Sequence, residues 1–125
     1  MHTNVLGALR AIPVVAPALA KSSGTFAFVS SRMGSIGLQT TASSVVYRAS
    51  KAALNSVIRT ASLEWGPKGV NCISLHPGWV KTDMGGSGAD IGPAVSIAGM
   101  RKVIGAANTN SNGKFFDYTG KELSW

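Results

Sequence analysis

The run "GVNCISLH", residues 69–76, is almost unbroken in its apolar character. A strand that does not alternate apolar with polar residues is one covered on both faces, and such strands belong to sheets with helices packed against them. The segments around it agree. Residues 44–64 read as a long helix, with Leu54, Val57, Ile58, Ala61 and the small Ala49, Ala52 and Ala53 on one packable face. Ser43 or Ser44 stands at its N-cap position, and Gly66-Pro67 ends it. Before this helix, "GTFAFVSS" (24–31) is a short β-rich run with glycine and serine at its ends. Residues 3–19 carry Val5, Leu6, Leu9 and Ile12 at helical spacing. After the 69–76 strand comes the glycine-rich stretch "PGWVKTDMGGSGADIGP", then a helix over residues 94–107 and a last strand near "GKFFDY".

The order is therefore helix, strand, helix, strand, loop, helix, strand. Strands separated by helices predict parallel pairing through right-handed crossovers, an α/β fold. Three strands make a thin sheet, and the first helix has no strand before it. The pattern reads as the second half of a doubly wound domain.

Composition narrows the function classes. With 125 residues, 45% hydrophobic and 14% charged, the chain is one globular domain at most. Its single cysteine, Cys72, excludes an internal disulfide and fits a reducing, cytoplasmic setting, where a buried inert thiol is expected. Twelve basic residues against five acidic give a formal net charge of +7. The basic residues are scattered singly from Arg10 to Lys121 apart from Arg101-Lys102, with no zinc-finger spacing or aromatic stacking motif, so no nucleic-acid partner is expected. The opening "MHTNVLGALRAIPVVAPALA" imitates a secretory signal in its Ala18-Leu19-Ala20 ending. Arg10, Pro13 and Pro17 interrupt it, however, and it reads better as an amphipathic helix of the fold. No stretch has the length of a membrane-spanning helix, so no membrane partner is expected. His2 and His76 have no companions at metal-ligand spacing, and no metal is expected.

The chemistry gathers in "VVYRASKAAL", residues 45–54, where Tyr47 and Lys51 lie one helical turn apart. Spacing alone leaves two readings open, a surface pair or a lysine that alters what the phenol does. Three further groups bear on the choice: Asn4 in "TNVLG", Ser31 in "FVSSRMG", and "HPGWVKT" after the 69–76 strand. In order and placement these four groups resemble the C-terminal half of the short-chain dehydrogenases/reductases, within their carbonyl-reductase-like, C-signal-like branch. The stretches "VSSRMGSIG", "YRASKAALN" and "HPGWVKTDMGG" carry most of the likeness, and "GKFFDYTGKELSW" supports it.

The resemblance implies an NAD(P)-dependent oxidoreductase with Rossmann-type architecture, acting on a small carbonyl or secondary alcohol. A free tyrosine titrates near about 10. The Lys51 ammonium supplies positive charge that favours phenolate, so Tyr47 can give a proton in reduction and take one in oxidation. Ser31, where a strand ends at the sheet's C-terminal edge, can hydrogen-bond the substrate oxygen, or simply start a turn; Ser30 points to the other face. By resemblance, Asn4 holds a water in a proton relay to Lys51, although it can equally be a helix-start residue. By resemblance too, Pro77, Gly78, Val80 and Thr82 form the nicotinamide-side loop, with Tyr47 and Lys51 also touching cofactor; Pro-Gly alone could be a turn. The family's glycine-rich fingerprint is absent, and the glycines of "GGSGADIG" precede no matching βα unit. Residues 1–125 thus correspond to the C-terminal part of one NAD(P)-binding domain. The cofactor is NAD or NADP, because the residues that read its ribose belong to the other half. A catalytically silent fragment acting through protein contacts is the rival reading, and an unpaired apolar edge on the 24–31 strand is the expected route to association or a homo-oligomer.

Overall fold

A computed structural model describes residues 5–79 and 91–125. Its elements run α1 (Gly7–Ala20), β1 (Thr25–Val29), α2 (Val45–Trp65), β2 (Asn71–His76), α3 (Pro93–Ala106), β3 (Phe115–Asp117) and β4 (Glu122–Leu123). The four strands lie in the order β1-β2-β3-β4. β1 pairs parallel with β2, from Thr25 opposite Asn71 to Val29 opposite Leu75. β2 pairs parallel with β3, and β3 turns back antiparallel into β4. The expected α/β sheet with flanking helices is present, with one strand more than expected. β4 is only two residues long, too short for any periodicity to announce it.

β2 is the central buried strand, as its composition requires: Asn71 through Leu75 are all buried. Side chains alternate across it. Cys72 joins Phe28, Val70, Leu54, Ile58 and Ala61 in the core shared with α1 and α2, while Ile73 and Leu75 are buried on the opposite face. Within the α2 side of the sheet, the Ser74 hydroxyl donates to Asn55 Oδ1 at 3.1 Å, so α2 is tied to β2 by a buried polar contact as well as by packing.

Two helix faces differ from the sequence reading. α1 buries the expected Ile12 flanked by the small Ala8 and Ala16, whereas Leu9 is 48% exposed. The two alanines let the helix lie close to its neighbours around Ile12, and Leu9 falls outside the contact. Pro13 and Pro17 sit inside this helix, four residues apart and both exposed. The carbonyls they leave without N–H partners belong to the same outward stripe, which limits the cost of two prolines. On α2, Ala49 faces solvent rather than the core. Ser44 does hold the N-cap position, but it is left-handed, with φ 59°, and makes no side-chain cap bond. Arg48 braces the residues before the helix, its Nε donating to Ser43 O at 2.7 Å and its Nη2 to Thr41 Oγ1 at 3.1 Å.

Candidate active site

The C-terminal ends of β1, β2 and β3 open on a cleft of about 670 Å³ lined by Ser31, Arg32, Met33, Tyr47, His76, Gly78, Trp79, Asp117 and Tyr118. Parallel strands put their carboxyl ends on one edge of the sheet, and this is where such folds hold ligands. Ser31 and Tyr47, sixteen positions apart in sequence, are brought to the same cavity.

Ser31 follows directly on β1 and opens a tight turn, Arg32–Gly34. Its Oγ accepts the Met33 N–H at 3.1 Å, and its carbonyl accepts the Gly34 N–H at 2.9 Å. The hydroxyl proton is left to donate into the cleft. Ser30 behaves as its opposite parity demands: it does not line the cleft, and its buried Oγ has no partner. Gly34 rests against the backbone of Lys51 on α2, so closely that a Cβ there would meet the Lys51 carbonyl carbon at 2.8 Å. The turn carrying Ser31 is therefore seated on the helix that carries Tyr47 and Lys51. The chain's last residues hold the following loop. Ser35 Oγ donates to Ser124 O at 2.6 Å, and the Ile36 N–H donates to Trp125 O at 2.8 Å.

Tyr47 stands in the first turn of α2, 45% exposed. The Lys51 ammonium lies 5.8 Å from its ring centroid. Lys51 does not itself line the cleft; its ammonium stands beside the phenol ring. Of the loop after β2, Pro77, Gly78 and Trp79 are described. Pro77 O accepts the Ser96 hydroxyl of α3 at 2.6 Å. Gly78 has φ 82°, and a Cβ there would strike Tyr118 and Ile91 at 2.8 and 2.9 Å, so the turn requires glycine. Asn4, Val80 and Thr82 lie outside the described residues.

The sequence reading missed His76, Asp117, Trp79 and Tyr118 as cleft residues. His76 had a signal: an ionisable side chain closing an otherwise apolar strand, at the ligand-binding edge. It sits opposite Asp117 in the β2–β3 register. Burial lowers its pKa from the ordinary imidazole value, Asp117 pulls upward and Arg32 downward. Among the described residues no cluster of three or more His, Cys, Asp or Glu could hold a metal, and no helix is long and apolar enough to cross a membrane.

Residues 1–90 match the short chain dehydrogenase family. Over 123 residues the chain is 43% identical to the C-signal of Myxococcus xanthus, covering 98% of this chain and 74% of that one. The structure superposes on carbonyl reductase Sniffer of D. melanogaster with a TM-score of 0.93 at 34% identity, over 99% of this chain and 55% of the other. With the NADPH-bound carbonyl reductase from chicken fatty liver the TM-score is 0.84 at 34% identity, over 98% and 54%. The chain thus spans about half the length of these two reductases. Fold, cleft and likeness converge: the chain belongs to the short-chain dehydrogenase/reductase family, in its carbonyl-reductase-like branch.

Proposed function

We propose that this chain carries the reacting end of an NAD(P)-dependent oxidoreductase that reduces a small carbonyl compound or oxidises the corresponding secondary alcohol. The observation that carries the reading is the shared cleft: Ser31 and Tyr47 open into one cavity, with the Lys51 ammonium 5.8 Å from the phenol ring. Ser31 holds the substrate oxygen through its free hydroxyl proton. Tyr47 delivers a proton to that oxygen in reduction and removes one in oxidation. Lys51 keeps a positive charge beside the reacting phenol. By family likeness Asn4 relays protons to Lys51, and Pro77, Gly78, Val80 and Thr82 border the nicotinamide.

The residues present fit the nicotinamide end of a cofactor. The cleft offers a hydroxyl, a phenol and a nearby ammonium beside the aromatic Trp79 and Tyr118. When bound, the nicotinamide supplies or accepts the hydride. The pyrophosphate end is not matched: β1 leads into the Ser31 turn, and neither α2 nor α3 opens on a glycine-rich fingerprint. Residues 1–125 are accordingly proposed as the C-terminal part of one Rossmann-type domain, in a cytoplasmic setting, with a small-molecule substrate. One observation favours the non-catalytic reading, in which the chain acts through protein contacts: β1 pairs on one side only among the described residues, and Val29 on it is 54% exposed. NADPH oxidation in the presence of aromatic ketones separates the two. The chain joined to a dinucleotide-binding half from a relative is expected to turn over, and the 125-residue chain alone is not. A joined chain that binds NADPH without any reductase activity overturns the catalytic reading.

A further inference from the structure

We propose that His76 is a positioning residue for Ser31: its imidazole takes the place of a backbone carbonyl at the end of the β1–β2 ladder and so fixes the turn that aims the serine hydroxyl. The inference rests on the reading of Ser31 as the anchor of the substrate oxygen.

The ladder shows the substitution. Ser30 N–H donates to Leu75 O at 2.7 Å, continuing the parallel pairing one step past β1. The next inward-pointing N–H is that of Arg32, and its natural acceptor, two residues after Leu75, is the carbonyl of Pro77. That carbonyl is taken by Ser96 Oγ at 2.6 Å. Arg32 N–H donates instead to His76 Nδ1 at 3.0 Å. The Ser31 turn is therefore held on both sides of the serine, by Leu75 O before it and by an imidazole after it. Seated between them, Ser31 spends its own acceptor on Met33 N–H and keeps its proton for the cleft.

An Nδ1 that accepts belongs to a neutral ring with its proton on Nε2. The imidazolium has a hydrogen on both nitrogens and cannot accept, so protonation removes the bond to Arg32. The groups facing His76 among the described residues are Arg32 from the turn after β1, Asp117 from β3, and the cleft residues Tyr47 of α2 and Tyr118. Asp117 Oδ1 is already committed to Thr119 N–H, Thr119 Oγ1 and Lys121 N–H. Burial keeps the folded value below that of an unfolded histidine. Anchoring of the turn is then fully present above the unfolded imidazole pKa of about 6.5 and is lost as pH falls through the folded value.

The test is an NMR pH titration of the 125-residue chain, following the Arg32 amide and the His76 ring together, with His76→Asn and His76→Ala alongside. Asparagine places an amide oxygen near the position of Nδ1 and does not titrate. The Arg32 amide shift is expected to move with the His76 ionisation, at a midpoint below about 6.5. Its exchange protection is expected to fall about tenfold in His76→Ala and to persist into acid in His76→Asn. An Arg32 amide that ignores the His76 titration overturns the proposal, as does full protection in a folded His76→Ala. Should His76→Ala not fold, the wild-type titration decides. In the joined enzyme, the acid limb of kcat/KM is expected to flatten in His76→Asn. A joined wild type without turnover counts against the reductase reading, while the amide data still decide the anchoring.

Discussion

Replacing Gly34 by alanine tests how the site is assembled. One methyl group is added, and it points at the backbone of α2: 2.8 Å from the Lys51 carbonyl carbon and 2.9 Å from the Lys51 oxygen and Cβ. Relaxed carbon contacts lie at about 3.5–4.0 Å, so turn and helix must part by roughly 0.7 Å or more. Lys51 sits mid-helix, and Leu54 and Ile58 beyond it are buried at 4% and 0% exposure, so the helix is the fixed partner. The Arg32–Gly34 turn is what moves, and Ser31 with it. Overpacking of this kind costs about 1–3 kcal/mol. With a urea slope of about 1–3 kcal/mol per molar, a loss of about 2 kcal/mol lowers the unfolding midpoint by about 1 M. Gly7→Ala is the control. A Cβ there meets nothing within 4 Å, and the helical site tolerates or prefers alanine, so its midpoint should match or exceed wild type by up to about 1 kcal/mol in stability. Urea titrations followed by far-UV circular dichroism measure both. A Gly34→Ala midpoint equal to wild type, or a Gly7→Ala loss as large as that of Gly34→Ala, refutes the reasoning.

Other consequences follow from the exposed edge and the core. Val29→Lys places a charge on the outermost strand, where Val29 is 54% exposed, and should shift any self-association of the chain toward monomer in size-exclusion chromatography; an unchanged elution profile argues against β1 as the contact. Burial pushes the Cys72 thiol up to about 11, so at neutral pH it should resist alkylation in the folded chain and react once urea exposes it, as mass spectrometry would show; rapid labelling of the folded chain contradicts the packing.

What the sequence revealed of the fold followed the strength of its local patterns. β2 carries its own signature, because five consecutive buried residues leave little room for another reading. The long helix with Tyr47 and Lys51 was equally plain, and Ser31 separated from Ser30 by strand parity alone. The rest depends on long-range contacts that no local pattern encodes. Ser44 occupies the cap position without capping, because its backbone is left-handed there, a conformation set by the loop before the helix. β4 exists because β3 offers it an edge. His76 meets the Ser31 turn through the Arg32 N–H, forty-four residues away in the chain, while Pro77 O accepts from Ser96. Ile12 was legible as a packing residue of α1, yet beside it the contact went to Ala8 and Ala16, whose small side chains permit close approach, rather than to Leu9.

The most direct measurement of the central claim is single-site: kcat and cofactor affinity of Tyr47→Phe, against wild type, in the chain joined to a dinucleotide-binding half. The ring and its packing are kept, and only the phenolic hydroxyl that carries the exchangeable proton is lost. Turnover of an aromatic ketone should fall by about 10²–10⁴-fold, with NADPH affinity by calorimetry essentially unchanged. A Tyr47→Phe enzyme that retains most of its reductase activity at neutral pH would contradict the assignment of Tyr47 as the acid and base of this site.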